Sequence, residues 1–141
     1  HSLIHDTQTT TDRKAYVVKE LISKLENGTS LQHREVAYYA ERLNVTPKYL
    51  TETIKRVTGN SVIFLIDRYT IPILKEMLNN PDLSISQIAE RMCFSSLSYF
   101  SRYVTKHLGM SPTRYRATLV AQNDFDIQRP QGLSTTEKNH N

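Results

Sequence analysis

The chain is predicted to be all-α, two helix-turn-helix subdomains joined by a long connecting helix, with about seven helices in all. Three observations carry that prediction. Apolar residues recur at helical spacing through the body of the 141-residue chain, with few β-branched alternations and only four glycines to suggest a sheet. The stretch from Ile88 to Arg116 reads as a helix, a tight turn and a second helix. The same arrangement also occurs roughly fifty residues earlier.

Residues 1–11 are polar, with a run of threonines, and read as a flexible lead-in. The first subdomain is expected over 12–60. Asp12 is placed to cap a helix running to about Asn27, with Val17, Val18, Leu21, Ile22 and Leu25 as its apolar stripe and Gly28 as its stop. From about His33 or Arg34 to Leu43 comes the first helix of the early pair, with Val36, Ala37, Ala40 and Leu43 inward and Tyr38 and Tyr39 as core and rim packing. Asn44, Val45 and Thr46 form its turn. Thr46-Pro47 supplies a cap followed by the residue best tolerated at a first helical position. The next helix, Pro47 to Thr58, buries Leu50, Ile54 and Val57.

The connecting helix is expected over 61–80, with apolar residues from Val62 to Leu78. Pro72 interrupts it, and an internal proline costs about 3 kcal/mol. Either packing outweighs that cost or the element is two segments meeting near Ile71. Ser61 to Asn79 as one helix would span roughly 28 Å, against about 34 Å for one turn of duplex DNA.

In the second subdomain, 81–121, Ser84 and Gln87 have the spacing of a capping box. Ile85, Ile88, Ala89 and Met92 share one face of the helix that follows. Cys93, Phe94 and Ser95 make the turn, and Ser95 or Ser96 caps a second helix with Phe100, Tyr103, Val104 and Leu108 inward. Gly109 stops it, where a left-handed residue is needed. Ser111-Pro112 then starts a short last helix ending near Ala121. Residues 122–141 are sparse in apolar side chains, so a disordered tail is expected there.

The internal match is residue by residue. Ala40-Glu41-Arg42-Leu43 corresponds to Ala89-Glu90-Arg91-Met92, and Val45 to Phe94. After one extra turn residue in the later copy, Thr46, Leu50, Ile54, Lys55, Arg56, Gly59 and Ser61 correspond to Ser96, Phe100, Val104, Thr105, Lys106, Gly109 and Ser111. Two amphipathic helices of an ordinary bundle would share the apolar spacing, but not also the cap, the turn and the stop.

Composition narrows the function. A mean hydropathy of -0.48, with no apolar run near the roughly 18 residues needed, excludes a membrane-spanning helix. The single cysteine, Cys93, cannot pair within the chain, which suits a reduced cytoplasmic setting, and it reads as packing rather than as a nucleophile. A net charge of +4 suits a polyanionic partner, and its placement says more. Residues 61–121 carry seven basic and four acidic groups, and the segment from Arg91 to Arg116 holds Arg91, Arg102, Lys106, Arg114 and Arg116 with no acid at all. His1, His5, His33, His107 and His140 are scattered without ligand spacing, no Ser/His/Asp set or phosphate-cradling glycine loop is present, and neither an enzyme, a metal site nor a cofactor is expected.

The double unit resembles the DNA-binding domain of the AraC/XylS family of bacterial transcription regulators, over roughly Tyr16 to Thr118. The resemblance is carried by Phe100-Ser101-Arg102, Gly109-Met110-Ser111-Pro112 and Tyr115-Arg116 in the later copy. Tyr39-Ala40-Glu41 and Thr46-Pro47-Lys48-Tyr49-Leu50 carry it in the earlier one. It implies double-stranded DNA as partner, recognition helices in successive major grooves, and regulation, commonly activation, through RNA polymerase. It also implies an upstream sensing or dimerising domain that this chain, opening on His1 rather than Met, would lack. Carried over by position, the DNA-binding residues would be Thr46, Lys48, Thr51, Glu52 and Lys55 in the early helix, and Ser96, Leu97, Ser98, Ser101, Arg102 and Lys106 in the later one. Of these, Arg102 is the foremost candidate for reading a base, and its alternative is a surface salt bridge to Glu90 or Asp82. Three departures from the family pattern bear on the angle between the units: Cys93 where glycine is usual, Thr70 where arginine is usual, and Pro72. The competing reading is a helical protein–protein interaction module with only non-specific affinity for DNA.

Overall fold

Two hydrophobic cores are built on one shared helix. The computed structural model describes the backbone of residues 2–128 and the side chains of 11–122, and among these residues there are seven α-helices and no strand. They are α1 (Ser2–Glu26), α2 (Val36–Arg42), α3 (Pro47–Thr58), α4 (Val62–Leu78), α5 (Ile85–Arg91), α6 (Leu97–Leu108) and α7 (Pro112–Gln128), with a 3-10 turn at Thr29–Leu31. No helix among the described residues is long and apolar enough to cross a membrane.

The first core gathers Val17, Leu21 and Leu25 of α1, Tyr39 and Ala40 of α2, Leu50 and Ile54 of α3, and Val62, Leu65 and Ile66 of α4. The second gathers Leu74, Met77 and Leu78 of the same helix with Leu83, Ile88, Ala89, Met92, Phe100 and Val104. The buried residues of α4 fall at three- and four-residue steps, so one stripe of one helix lines both cores in succession. Between its two halves lies Thr70, fully buried, whose hydroxyl donates to the Ile66 carbonyl at 2.7 Å and so carries its own partner into the interior.

Pro72 does not divide α4, which is one helix from Val62 to Leu78. The missing N–H is the one that would have reached the carbonyl of Arg68. Both Pro72 and Arg68 are exposed, so the missing bond lies on the outer side of the helix, while seven buried residues hold it together on its inner side. The C-terminal end of α4 is closed by Arg116. Its Nε donates to Leu78 O at 2.9 Å, and its Nη2 to Met77 O and Asn80 O at 3.3 Å each, adding to the backbone N–H bonds that Met77 O and Asn80 O already accept from Asn80 and Leu83. Arg116, counted above among the cations of the acid-free segment, therefore has its guanidinium engaged by backbone carbonyls.

Several boundaries differ from expectation. The lead-in expected over 1–11 is helical from Ser2, and α1 does not wait for a cap at Asp12, because neither proline nor glycine stands before Gly28. At the other end α7 continues past Ala121 to Gln128, and no breaker precedes Pro130. Of the tail expected to be disordered, residues 129–141 lie outside the described residues. Helix α2 begins later than His33 or Arg34 because Glu35 is extended, with φ −95° and ψ 138°. Ala37 and Val57, expected inside, are exposed, and on α3 the buried place goes to Thr53. The stops at Gly28, Gly59 and Gly109 all have φ between 80° and 85°.

Candidate nucleic-acid interface

Each unit positions its second helix by the same set of backbone contacts. In the first, Val45 N–H donates to Ala40 O at 3.0 Å. In the second, Phe94 N–H donates to Ala89 O at 3.0 Å. The residue before each donor is left-handed, Asn44 at φ 58° and Cys93 at φ 59°. Asparagine tolerates that conformation through its short polar side chain, whereas cysteine has no such compensation. The cap hydroxyls follow. Thr46 Oγ1 accepts from Tyr49 N–H at 3.0 Å and Ser96 Oγ from Tyr99 N–H at 3.2 Å, so Ser96 rather than Ser95 is the cap. Gly59 and Gly109 then close the two helices with bonds of 2.9 Å to Lys55 O and Thr105 O. Ser61 and Ser111 start α4 and α7 by accepting from the N–H groups of Phe64 and Arg114.

With their apolar sides pinned, the helices turn their other sides out. Leu50 and Ile54 of α3, and Phe100 and Val104 of α6, are wholly buried. Thr46, Lys48, Thr51, Glu52 and Lys55 are exposed, as are Ser96, Leu97, Ser98, Arg102 and Lys106, while Ser101 is half-buried. Lys48, Thr51, Glu52 and Lys55 lie at steps of three and four along α3, and Ser98, Ser101 and Arg102 likewise along α6, so each set shares one helix face. Lys55 stands apart from its set. Its Nζ donates to Gly59 O at 3.1 Å and completes the end of α3.

Arg102 is not paired with Glu90 or Asp82. Its guanidinium lies over the ring of Tyr99, 5.5 Å from the centroid. The contact of a basic side chain with a carboxylate found among the described residues is elsewhere, between His107 Nε2 and Asp67 Oδ2 at 3.6 Å. Tyr99, more than half exposed, is a member of this surface that sequence reasoning missed. Its counterpart Tyr49 carries the guanidinium of Arg13 over its ring at 5.3 Å. Arg56 was also missed. It is exposed, and the internal match already aligned it with Lys106.

Behind these faces runs the seam between the units. Tyr103 donates its phenol to Asp67 Oδ1 at 3.0 Å, and its pKa is pushed far up by burial and then by the Asp67 charge. Tyr39 donates to His33 O at 2.7 Å and is likewise raised, chiefly by burial. Both phenols therefore remain neutral donors. Ser30 O, in the 3-10 turn, is 3.5 Å from both Thr70 Oγ1 and Arg34 Nη1. Thr70 and the Arg34 guanidinium thus approach one carbonyl from two different elements. Among the described residues no group of three or more His, Cys, Asp or Glu side chains is arranged to hold a metal ion.

Comparison with known proteins agrees with this geometry. Residues 39–118 match the family model described as a helix-turn-helix domain. The Msm operon regulatory protein of Streptococcus mutans is 30% identical over 116 residues, covering 81% of this chain and 40% of the relative. An HTH-type transcriptional regulator of Bacillus subtilis, YobQ, is 30% identical over 107 residues, covering 76% of this chain and 41% of the relative. The chain thus spans about two fifths of the length of these curated relatives. Among solved structures, the C-terminal domain of AraT, a response regulator from Geobacillus stearothermophilus, superposes with a TM-score of 0.63 at 33% identity, covering 72% of this chain and 84% of that one.

Proposed function

The chain belongs to the AraC-type helix-turn-helix family of transcription regulators, and on that footing we propose that α3 and α6 enter successive major grooves of one DNA duplex. The observation that carries this reading is the repeated set of turn, cap and glycine stop, which offers an exposed polar face from each end of α4. Lysines and arginines contact phosphates and supply the salt-dependent part of the affinity. Arg102 reads a guanine edge, Glu52 accepts from a cytosine amine, Leu97 packs on a thymine methyl, and Thr51, Ser98 and Ser101 bond through their hydroxyls. Thr46 and Ser96 still have their O–H donors free, because their cap bonds use the oxygen as acceptor. Lys48 and Lys106 serve the backbone, whereas Lys55 gives priority to its own helix end. The role is binding rather than catalysis. In the full-length regulator it leads to transcriptional control in the cytoplasm, as an activator acting through RNA polymerase.

The size of α4 adds a mechanical expectation. Seventeen residues span about 25 Å, short of the roughly 34 Å of a DNA turn, so a duplex engaged by both helices bends toward the protein at a cost on the order of a few kcal/mol. Gel mobility that does not depend on the phase of the site would remove the bend.

Selection of sites from random duplexes tests the main reading. Two conserved half-sites at a fixed spacing are expected, and recovery of unrelated sequences, with binding lost near physiological salt, would defeat it. Lys106→Ala should weaken every sequence alike and shallow the log–log salt slope by about 0.9.

A further inference from the structure

We propose that Arg34 is the positioning residue that fixes the angle between α3 and α6 and thereby sets the half-site spacing the chain accepts. The inference rests on the two-helix reading above. Arg34 lies between the 3-10 turn and α2, in the first unit. On that side its guanidinium donates to Leu31 O and, at 3.5 Å, to Ser30 O. Across the seam its Nη2 donates to Met92 O at 2.7 Å, a contact between residues 58 positions apart.

The far end of this tie is placed where it counts. Met92 is the C-terminal cap of α5, and its carbonyl directly precedes the left-handed turn that aims α6. The guanidinium also lies over Phe94, 4.2 Å from the ring centroid, and 5.6 Å from that of Tyr103. Phe94 packs edge-on against Phe100, on the buried side of α6. One planar group therefore holds the turn and the inner face of α6 while anchored to backbone of the first unit.

Alone, α4 is a single shaft that lacks one internal hydrogen bond at Pro72. A tie away from its axis resists the rotation of one unit against the other that a lone shaft allows. Only arginine has the rigid fork to bond several carbonyls while stacking on a ring, so lysine is not an equivalent replacement.

The test compares the chain with R34Q and R34K, in a background where Cys93→Ser removes the native thiol and spin labels sit at Lys19→Cys on α1 and Ser86→Cys on α5, both exposed positions. The unvaried chain should give one narrow distance distribution and both variants a broadened one, with helical content retained. R34K serves where R34Q fails to fold. On the selected operator the variants should lose roughly tenfold in affinity, the scale of lost charged hydrogen bonds, and should discriminate less against operators with one base pair added or removed between half-sites. An unchanged distance distribution in a folded variant overturns the proposal, as does an equal loss of affinity at every spacing. Absence of any spacing preference in the chain with Arg34 intact would strike the two-helix docking instead, since no change at Arg34 is involved.

Discussion

Glu52 and Arg102 occupy the same place in the two units, each six residues beyond its cap hydroxyl and each on the exposed face of its helix. One side chain accepts hydrogen bonds and the other donates them. The neighbouring pairs also differ, Lys48 against Ser98 and Lys55 against Thr105, although the backbone bonds that place them agree to within a few tenths of an ångström. Scaffold and readout have thus been separated. The contacts that aim the helices are repeated, whereas the charged side chains of these pairs, proposed to meet DNA, are not, and the hydroxyl pairs Thr46 with Ser96 and Thr51 with Ser101 keep their chemistry. The expected consequence is a non-palindromic operator, with different bases demanded by each unit.

The comparison can be broken first at its cores. Phe100→Ala should cost about 4 kcal/mol and Leu50→Ala about 3, both measured by urea unfolding. Equal and small losses would mean the two helices are not clamped as their burial implies. Next comes the readout. Arg102→Ala should cost about 1 to 3 kcal/mol of binding and relax preference at one base pair, while Glu52→Ala relaxes a position in the other half-site with little loss of total affinity, because it also removes a negative charge facing phosphates. Identical specificity profiles for the two variants would contradict the asymmetry. The smallest effect separates the turns. Cys93→Gly should stabilise the chain by about 1 kcal/mol by removing the cost of a left-handed cysteine, raising Tm by about 4 °C. Asn44→Gly should do less, and a larger gain at Asn44 than at Cys93 would reverse the ranking.

How much of this was legible in the sequence depends on the range over which each contact is made. Caps, boxes and stops involve neighbours three or four residues apart, and Ser61, Ser84 with Gln87, Gly59 and Gly109 are where their residue types place them. The exposed faces followed once the apolar faces were known. The 3-10 turn did not, because Thr29, Ser30 and Leu31 are too few to show a period. Arg34 looked like the start of a helix, and only the approach of Met92 from the other unit reveals its work. The exposure of Val57 was missed for a related reason. Its counterpart in the later copy, His107, reaches Asp67 of α4, and spacing within one helix does not tell which side chain a neighbouring helix will cover.

Because α4 belongs to both cores, the docking proposed above carries a half-site distance that α4 cannot adjust in small steps. Inserting a single residue into it turns everything downstream by about 100° and advances it about 1.5 Å, swinging α6 away from the groove and tearing Met92 from Arg34. On the docking proposed above, the letters read can be diversified one side chain at a time and the spacing loosened at Arg34, yet a new fixed spacing requires rebuilding the joint itself.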